Sequence, residues 1–189
     1  MRPSSWQTFA EELAVTSGCR VAIVIYVDHT DPHRSFVVSG GIGDDFDEQL
    51  STRLFHDGDD PYWTAMQTLR PGSVQLGDDI ISREAQHRNA YYSHLCKPWS
   101  LEHFLLSCIT TRDDVSAFLT LGRTDRDPPF QTADKTFVSQ QLLTHLQRSL
   151  ILGRELAVAR DGQAQMTAVV DMAPDGIVVF DHNGRVTMD

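Results

Sequence analysis

Basic side chains are scarce: 16 Lys and Arg stand against 26 Asp and Glu, a formal net charge of −10. Affinity for phosphate backbones comes mostly from Lys and Arg, so this chain is not expected to bind nucleic acid directly. The same charge favours solubility and opposes an anionic membrane surface. Long apolar runs are missing too. Val21 to Val27 and Phe104 to Ile109 fall well short of the ~18 residues of a membrane-spanning helix. The opening Met1-Arg2-Pro3-Ser4-Ser5-Trp6 has no apolar stretch behind it, so no secretory signal is expected. Three cysteines, Cys19, Cys96 and Cys108, are too few for a disulfide framework, and a reducing cytoplasm is the expected location. There is no Gly-x-Ser-x-Gly elbow and no phosphate-binding Gly-x-x-x-x-Gly-Lys-Ser loop. An enzyme is therefore not expected, and no motif requires a cofactor.

What is present reads as a globular α+β protein, with 41% apolar and 22% charged residues excluding a disordered chain. Residues 4–17 have helical spacing, with Trp6, Phe9, Ala10, Leu13 and Ala14 on one face and Gly18 as the stop. Ser4 and Gln7 fit a capping box. Val21 to Val27 reads as a buried central strand, and Ser35 to Ser39 as its hairpin partner. Helices are expected over 44–55, from Asp60 as N-cap with Pro61 at the first position, and over 82–94. A short strand, 72–76, separates the last two. Strands 102–111 and 116–123 follow, joined at Asp113-Asp114. A long helix then runs from Thr132 to about residue 160. Hairpin-linked strands predict an antiparallel sheet flanked by helices.

The long helix carries two apolar stripes. Leu143, Leu146, Leu150, Gly153 and Ala157 form one, and Val138, Leu142, Leu152 and Leu156 the other. One face suffices to pack on a sheet, so a second copy is expected to cover the other. The expected homodimer contacts are Leu143, Leu146 and Leu150 with the N-terminal helix. After Gly162 come a short helix over 166–174, a strand over 175–180 and an Asn183-Gly184 hairpin turn. The boundary is placed at 160/161, with 161–189 a second domain's opening or an appended hairpin.

Residues 1–160 resemble the N-terminal sensory region of LuxR-type helix-turn-helix regulators, which is similar to a GAF domain. The carriers are Trp6, Phe9 and Leu13, Val21 to Val27, Asp60-Pro61-Tyr62-Trp63, Tyr91-Tyr92, Lys97-Pro98, and Phe130 to Asp134 leading into Leu142 to Leu146. Residues 166–189 resemble the opening of a PAS domain. No basic recognition helix accompanies them. The resemblance implies a sensory, ligand-binding and dimerising module of a bacterial transcription regulator. The alternative is an interaction and dimerisation module with no small-molecule ligand.

The resemblance places any pocket between the sheet and the helices of residues 44–95. Tyr26, Phe36, Trp63, Tyr91, Tyr92, Trp99 and His103 are the expected ligand contacts, with Phe55, Tyr62 and Phe104 of the same type. Burial as a core aromatic is the commoner fate of each. His94 and Cys96 with Cys108 or His103 lack the spacing of a metal site. Gly40-Gly41-Ile42-Gly43 precedes a helix start, but Asp44, Asp45 and Asp47 would repel an anion there. Asp57-Gly58-Asp59-Asp60 lacks the distal Glu of a calcium loop. For an enzyme, the sign to look for is a closed pocket holding two titratable groups within hydrogen-bond reach.

Overall fold

The computed structural model describes residues 3–56, 60–112, 114–171, 179–180 and 186–188. Two compact units are present, Arg2–Arg148 and Ser149–Asp189.

The first unit is α+β. Helix α1 (Pro3–Thr16) leads into β1 (Val21–Asp28) and β2 (Phe36–Gly40). Three helices follow, α2 (Asp44–His56), α3 (Pro61–Thr68) and α4 (Arg83–Arg88), with β3 (Val74–Leu76) between the last two. A π turn (Tyr92–Cys96) precedes the hairpin of β4 (Leu101–Arg112) and β5 (Val115–Thr124). Helix α5 (Thr132–Phe137) and a second π turn (Val138–Leu142) lead into α6 (Leu143–Asp171). All five strands pair antiparallel in the order β2-β1-β5-β4-β3.

Alternation divides the side chains of β1 between two faces. Val21, Ile23 and Ile25 join Phe46 and Leu50 of α2, Tyr62 and Met66 of α3, and Leu95 of the π turn in one core. The other face receives α1. There Trp6 lies against Phe36, which stacks on Tyr26 at 5.1 Å. A Cβ on Gly40 would sit 2.1 Å from the backbone of Ala10, so only glycine lets α1 approach β2 this closely.

Local chemistry sets the boundaries. Gly18 ends α1 with a φ of +61°. Asp60 caps α3, its carboxylate accepting from the Tyr62 N–H at 2.8 Å, and Pro61 fills the first turn. Ser82 caps α4 by accepting from Ala85 N at 3.3 Å.

Several expected boundaries move. Helix α1 starts at Pro3, before Ser4, and Gln7 donates to the Ser39 carbonyl at 2.6 Å across to β2. The single helix expected over 82–94 is broken at Asn89, whose backbone is extended and whose side chain accepts from Tyr91 N at 2.7 Å. Such local side-chain bonds compete with helix continuation. The long helix is capped by Gln131, paired with Asp134 in a capping box, and not by Thr132. It passes through a π turn before α6.

Leu143, Leu146 and Leu150 are buried within the chain, so the stripe expected to meet a second copy is already covered. The apolar face of α1 is likewise turned inward: Trp6, Ala10, Leu13 and Ala14 are buried, and Val15 is exposed.

In the second unit, α6 continues through Gly162 to Asp171, merging the expected short helix with the long one. A mid-helix glycine costs about 1 kcal/mol relative to alanine, which the flanking helix formers offset. Strands β6 (Val179–Phe180) and β7 (Val186–Met188) pair antiparallel. The Pro174-Asp175-Gly176 and Asn183-Gly184 segments lie outside the described residues.

Candidate functional site

Strand β1 contributes Ile23 and Ile25 to a cavity on the sheet face covered by α2, α3 and the first π turn. Leu101, Phe104 and Leu106 of β4 and Thr120 of β5 add to the floor. Phe46, Leu50, Tyr62, Met66, Tyr91, Leu95 and Cys96 close it, and Asp60 reaches in from the start of α3. Its free volume is about 20 Å³, room for roughly one water molecule.

The cavity is apolar with a few polar groups set into one side. Asp60 is only 3% exposed. It accepts hydrogen bonds from the backbone of Tyr62 and Trp63 and from the Tyr91 side chain. Burial nevertheless dominates and pushes its carboxyl up to about 6. Burial also raises Tyr91, with the nearby Asp60 carboxylate adding to the effect. The Cys96 thiol is pushed far up by burial and by the same carboxylate. A thiol so disfavoured as thiolate is a poor nucleophile. Among the described residues, two buried donors at or behind the cavity have no hydrogen-bond partner, Tyr62 Oη and Trp99 Nε1; Ser39 Oγ on β2 is a third, away from it. Buried polar atoms of this kind are rare in folded proteins and call for an explanation such as water or ligand.

A wider opening of about 470 Å³ lies further along the same strands. It is lined by Val27, His29, Trp63, Gln67, Thr111, Ser116 and Phe118. Trp63 meets Phe118 edge-on at 5.5 Å. His29 Nε2 is 2.9 Å from Ser116 Oγ.

A third group surrounds Glu102, which is buried at 6% exposure. Tyr92 Oη donates to its Oε2, and His87 Nε2 lies 2.8 Å from Oε1. Arg83 stands 3.6 Å from the same oxygen and donates to His103 Nδ1 at 3.1 Å. Burial works against the Glu102 carboxylate, but the Tyr92 and His87 hydrogen bonds and the neighbouring cations outweigh it and lower its pKa. His103 is lowered by burial and by Arg83. This cluster ties α4 and the π turn to the start of β4.

The seven expected ligand contacts are therefore dispersed. Tyr91 lines the inner cavity, and Trp99 backs it through an edge contact with Phe46 at 5.8 Å. Trp63 lines the outer opening. Tyr92 and His103 belong to the Glu102 cluster. Tyr26 and Phe36 pack on the opposite sheet face, beside Trp6. Tyr62 and Phe104 do line the cavity, while the Phe55 side chain lies outside the described residues. Asp60, a helix cap and loop acid by its sequence, is the polar group of the cavity that composition does not single out. The available signal was a carboxylate fixed by Pro61 directly before two aromatics. Asp60 and Tyr91 also form the titratable pair within hydrogen-bond reach that the sequence did not reveal.

Among the described residues, no group of three or more His, Cys, Asp or Glu is placed to hold a metal, and no helix is long and apolar enough to cross a membrane.

No family model matches the chain, and no curated protein matches it in sequence. Solved structures do match. The LBD domain of VqsR from Pseudomonas aeruginosa superposes with a TM-score of 0.54 at 17% identity, over 76% of this chain and 84% of that one. SdiA from Escherichia coli gives 0.54 at 14% identity, over 92% of this chain and 79% of that one. A GAF domain region from Geobacter sulfurreducens PCA gives 0.52 at 10% identity, over 79% and 92%. At such identities the likeness establishes the fold, and that fold is GAF-like α+β.

Proposed function

We propose that the Arg2–Arg148 unit is the sensory domain of a LuxR-type transcription regulator, binding a small amphipathic molecule and working as a homodimer. It acts by binding, and another domain makes the DNA contacts. The Asp60–Tyr91 pair, which the sequence analysis gives as a sign of an enzyme, is read here as a ligand-orienting pair, because burial raises both groups and keeps Tyr91 an un-ionised phenol. Residues 161–189 open a PAS-like domain in this reading. The observation that carries it is the polar group set into an apolar cavity: buried Asp60, Tyr91, and a Tyr62 hydroxyl with no partner. Few, convergent polar groups in an apolar enclosure are how small-molecule sites fix orientation. The fold neighbours, which include an LBD domain and a GAF domain region, support the reading. The net charge of −10 supports DNA contact by a different domain.

The free volume of about 20 Å³ is far below the roughly 300–1,000 Å³ of ordinary ligand sites. Binding then requires α3 and the π turn to move outward. The tight cavity also favours a second reading, an interaction module without a ligand. Native mass spectrometry before and after mild denaturation separates them. An added mass that leaves on denaturation, and that Asp60→Asn weakens, supports the sensor. A clean chain mass, with no thermal shift from a metabolite panel, refutes it in favour of the interaction module.

A further inference from the structure

Helix α6 continues as a single helix to Asp171, and Leu152 and Leu156 on it are 59% and 57% exposed. Ala159 is exposed as well. These positions do not end a stripe; they begin one. In the sequence, Leu152, Leu156, Ala159, Gln163, Met166 and Val170 follow one another at strict four-three spacing. The repeat spans just under three heptads, and its 3.5-residue period is the spacing of a helix that packs along a partner helix. It differs from the buried Leu143, Leu146 and Leu150 stripe.

We infer that residues 149–171 form a parallel, in-register two-stranded coiled coil with the same segment of a second copy. The identity of the partner follows from charge. With Leu152 and Ala159 at d and Leu156 at a, Glu155 falls at g and Arg160 at the following e. In a parallel pair, g of one helix faces the next e of the other. Two symmetric Glu155–Arg160 pairs therefore form between identical chains. Gln163 at an a position fixes register at some cost in stability, as polar seam residues do. Small Ala159 at d makes the seam weaker than an all-leucine one.

The seam rests on the dimeric reading above and gives it a surface. The experiment is sedimentation equilibrium on the full chain, its Leu152→Asp/Leu156→Asp double variant and the charge variants. Both leucines are exposed, so the melting temperature of the tryptophan-bearing unit should not change. The parent should be dimeric at micromolar concentration, and the double variant should raise the dissociation constant by about tenfold or more. Glu155→Arg and Arg160→Glu should each weaken the dimer, and together restore it. Ala159→Cys should form a disulfide-linked dimer on mild oxidation, because d positions meet their symmetry mates. Asp161→Cys, at an outer register position, should not exceed the unsubstituted chain. A monomeric parent overturns both seam and dimer. A dimer indifferent to the leucine substitutions overturns the seam and leaves the dimer standing. A dimer that needs the leucines but is not rescued by the charge exchange, and does not cross-link at 159, overturns the parallel register.

Discussion

Asp60 makes a stability prediction with a defined sign and pH window. Its folded pKa is about 6, raised from 3.8 mainly by burial. A group whose pKa rises on folding contributes stability that is complete below the unfolded value and is lost as pH climbs through the folded one. The loss accrues between about pH 4 and pH 6 and then levels off. A shift of about two pH units corresponds to about 3 kcal/mol, of which roughly 2 to 3 kcal/mol falls between pH 4 and pH 7. Asp60→Asn keeps the shape and an equally good helix cap, but cannot ionise. The variant should therefore gain stability over the parent as pH rises, by about 2 to 3 kcal/mol from pH 4 to pH 7. For a chain of this size that is a relative shift of about 5 to 10 °C in melting temperature.

The assay is urea denaturation of both proteins across this range, read by tryptophan fluorescence. Trp6, Trp63 and Trp99 all lie in the Arg2–Arg148 unit, so the signal reports the part of the molecule that holds Asp60. Taking the difference between the two proteins cancels every other titrating group. A difference that stays flat across the window refutes a buried, high-pKa carboxyl. A difference of opposite sign would mean that the hydrogen bonds from Tyr62, Trp63 and Tyr91 outweigh burial.

Tyr62→Phe removes a buried hydroxyl that has no partner, so it should raise the ligand-free melting temperature, by about 1 kcal/mol of stability; a loss would reveal a bridging water. Glu102→Gln should destabilise by about 1 to 3 kcal/mol at neutral pH. Because the Glu102 pKa is lowered, its contribution exists above the ordinary carboxylate range and fades on acidification, so the deficit should shrink below that range in pH-dependent denaturation. Gly40→Ala would drive a methyl into the Ala10 backbone and should cost more than about 2 kcal/mol, with Trp6 fluorescence reporting the displaced α1.

The antiparallel hairpins and the helix layers could be read from alternation and turn residues, because both depend on local spacing. Asp60 before Pro61 and Gly18 after the last apolar turn fixed two helix ends for the same reason. The site was harder because period-two alternation sorts a strand into two sets without saying which layer covers which. Tyr26 and Ile25 are neighbours, yet one stacks on Phe36 beneath α1 and the other lines the cavity. The close approach of Ala10 to Gly40, together with Trp6 against Phe36, puts α1 on the Tyr26 side. Composition had favoured aromatics as ligand contacts, and aromatics occur on both faces. The informative residue was polar. Asp60 caps α3 and accepts three hydrogen bonds, yet at 3% exposure burial still raises its pKa, and a strongly shifted group in a cavity is a candidate for function. The long helix follows the same logic. Its first stripe was legible, but the second was not one face: across the π turn Val138 is buried in the core, whereas Leu152 and Leu156 are exposed. Burial of Leu143, Leu146 and Leu150 leaves Leu152 and Leu156 as the stripe without a cover, and the four-three spacing that continues from them selects an identical helix as the cover.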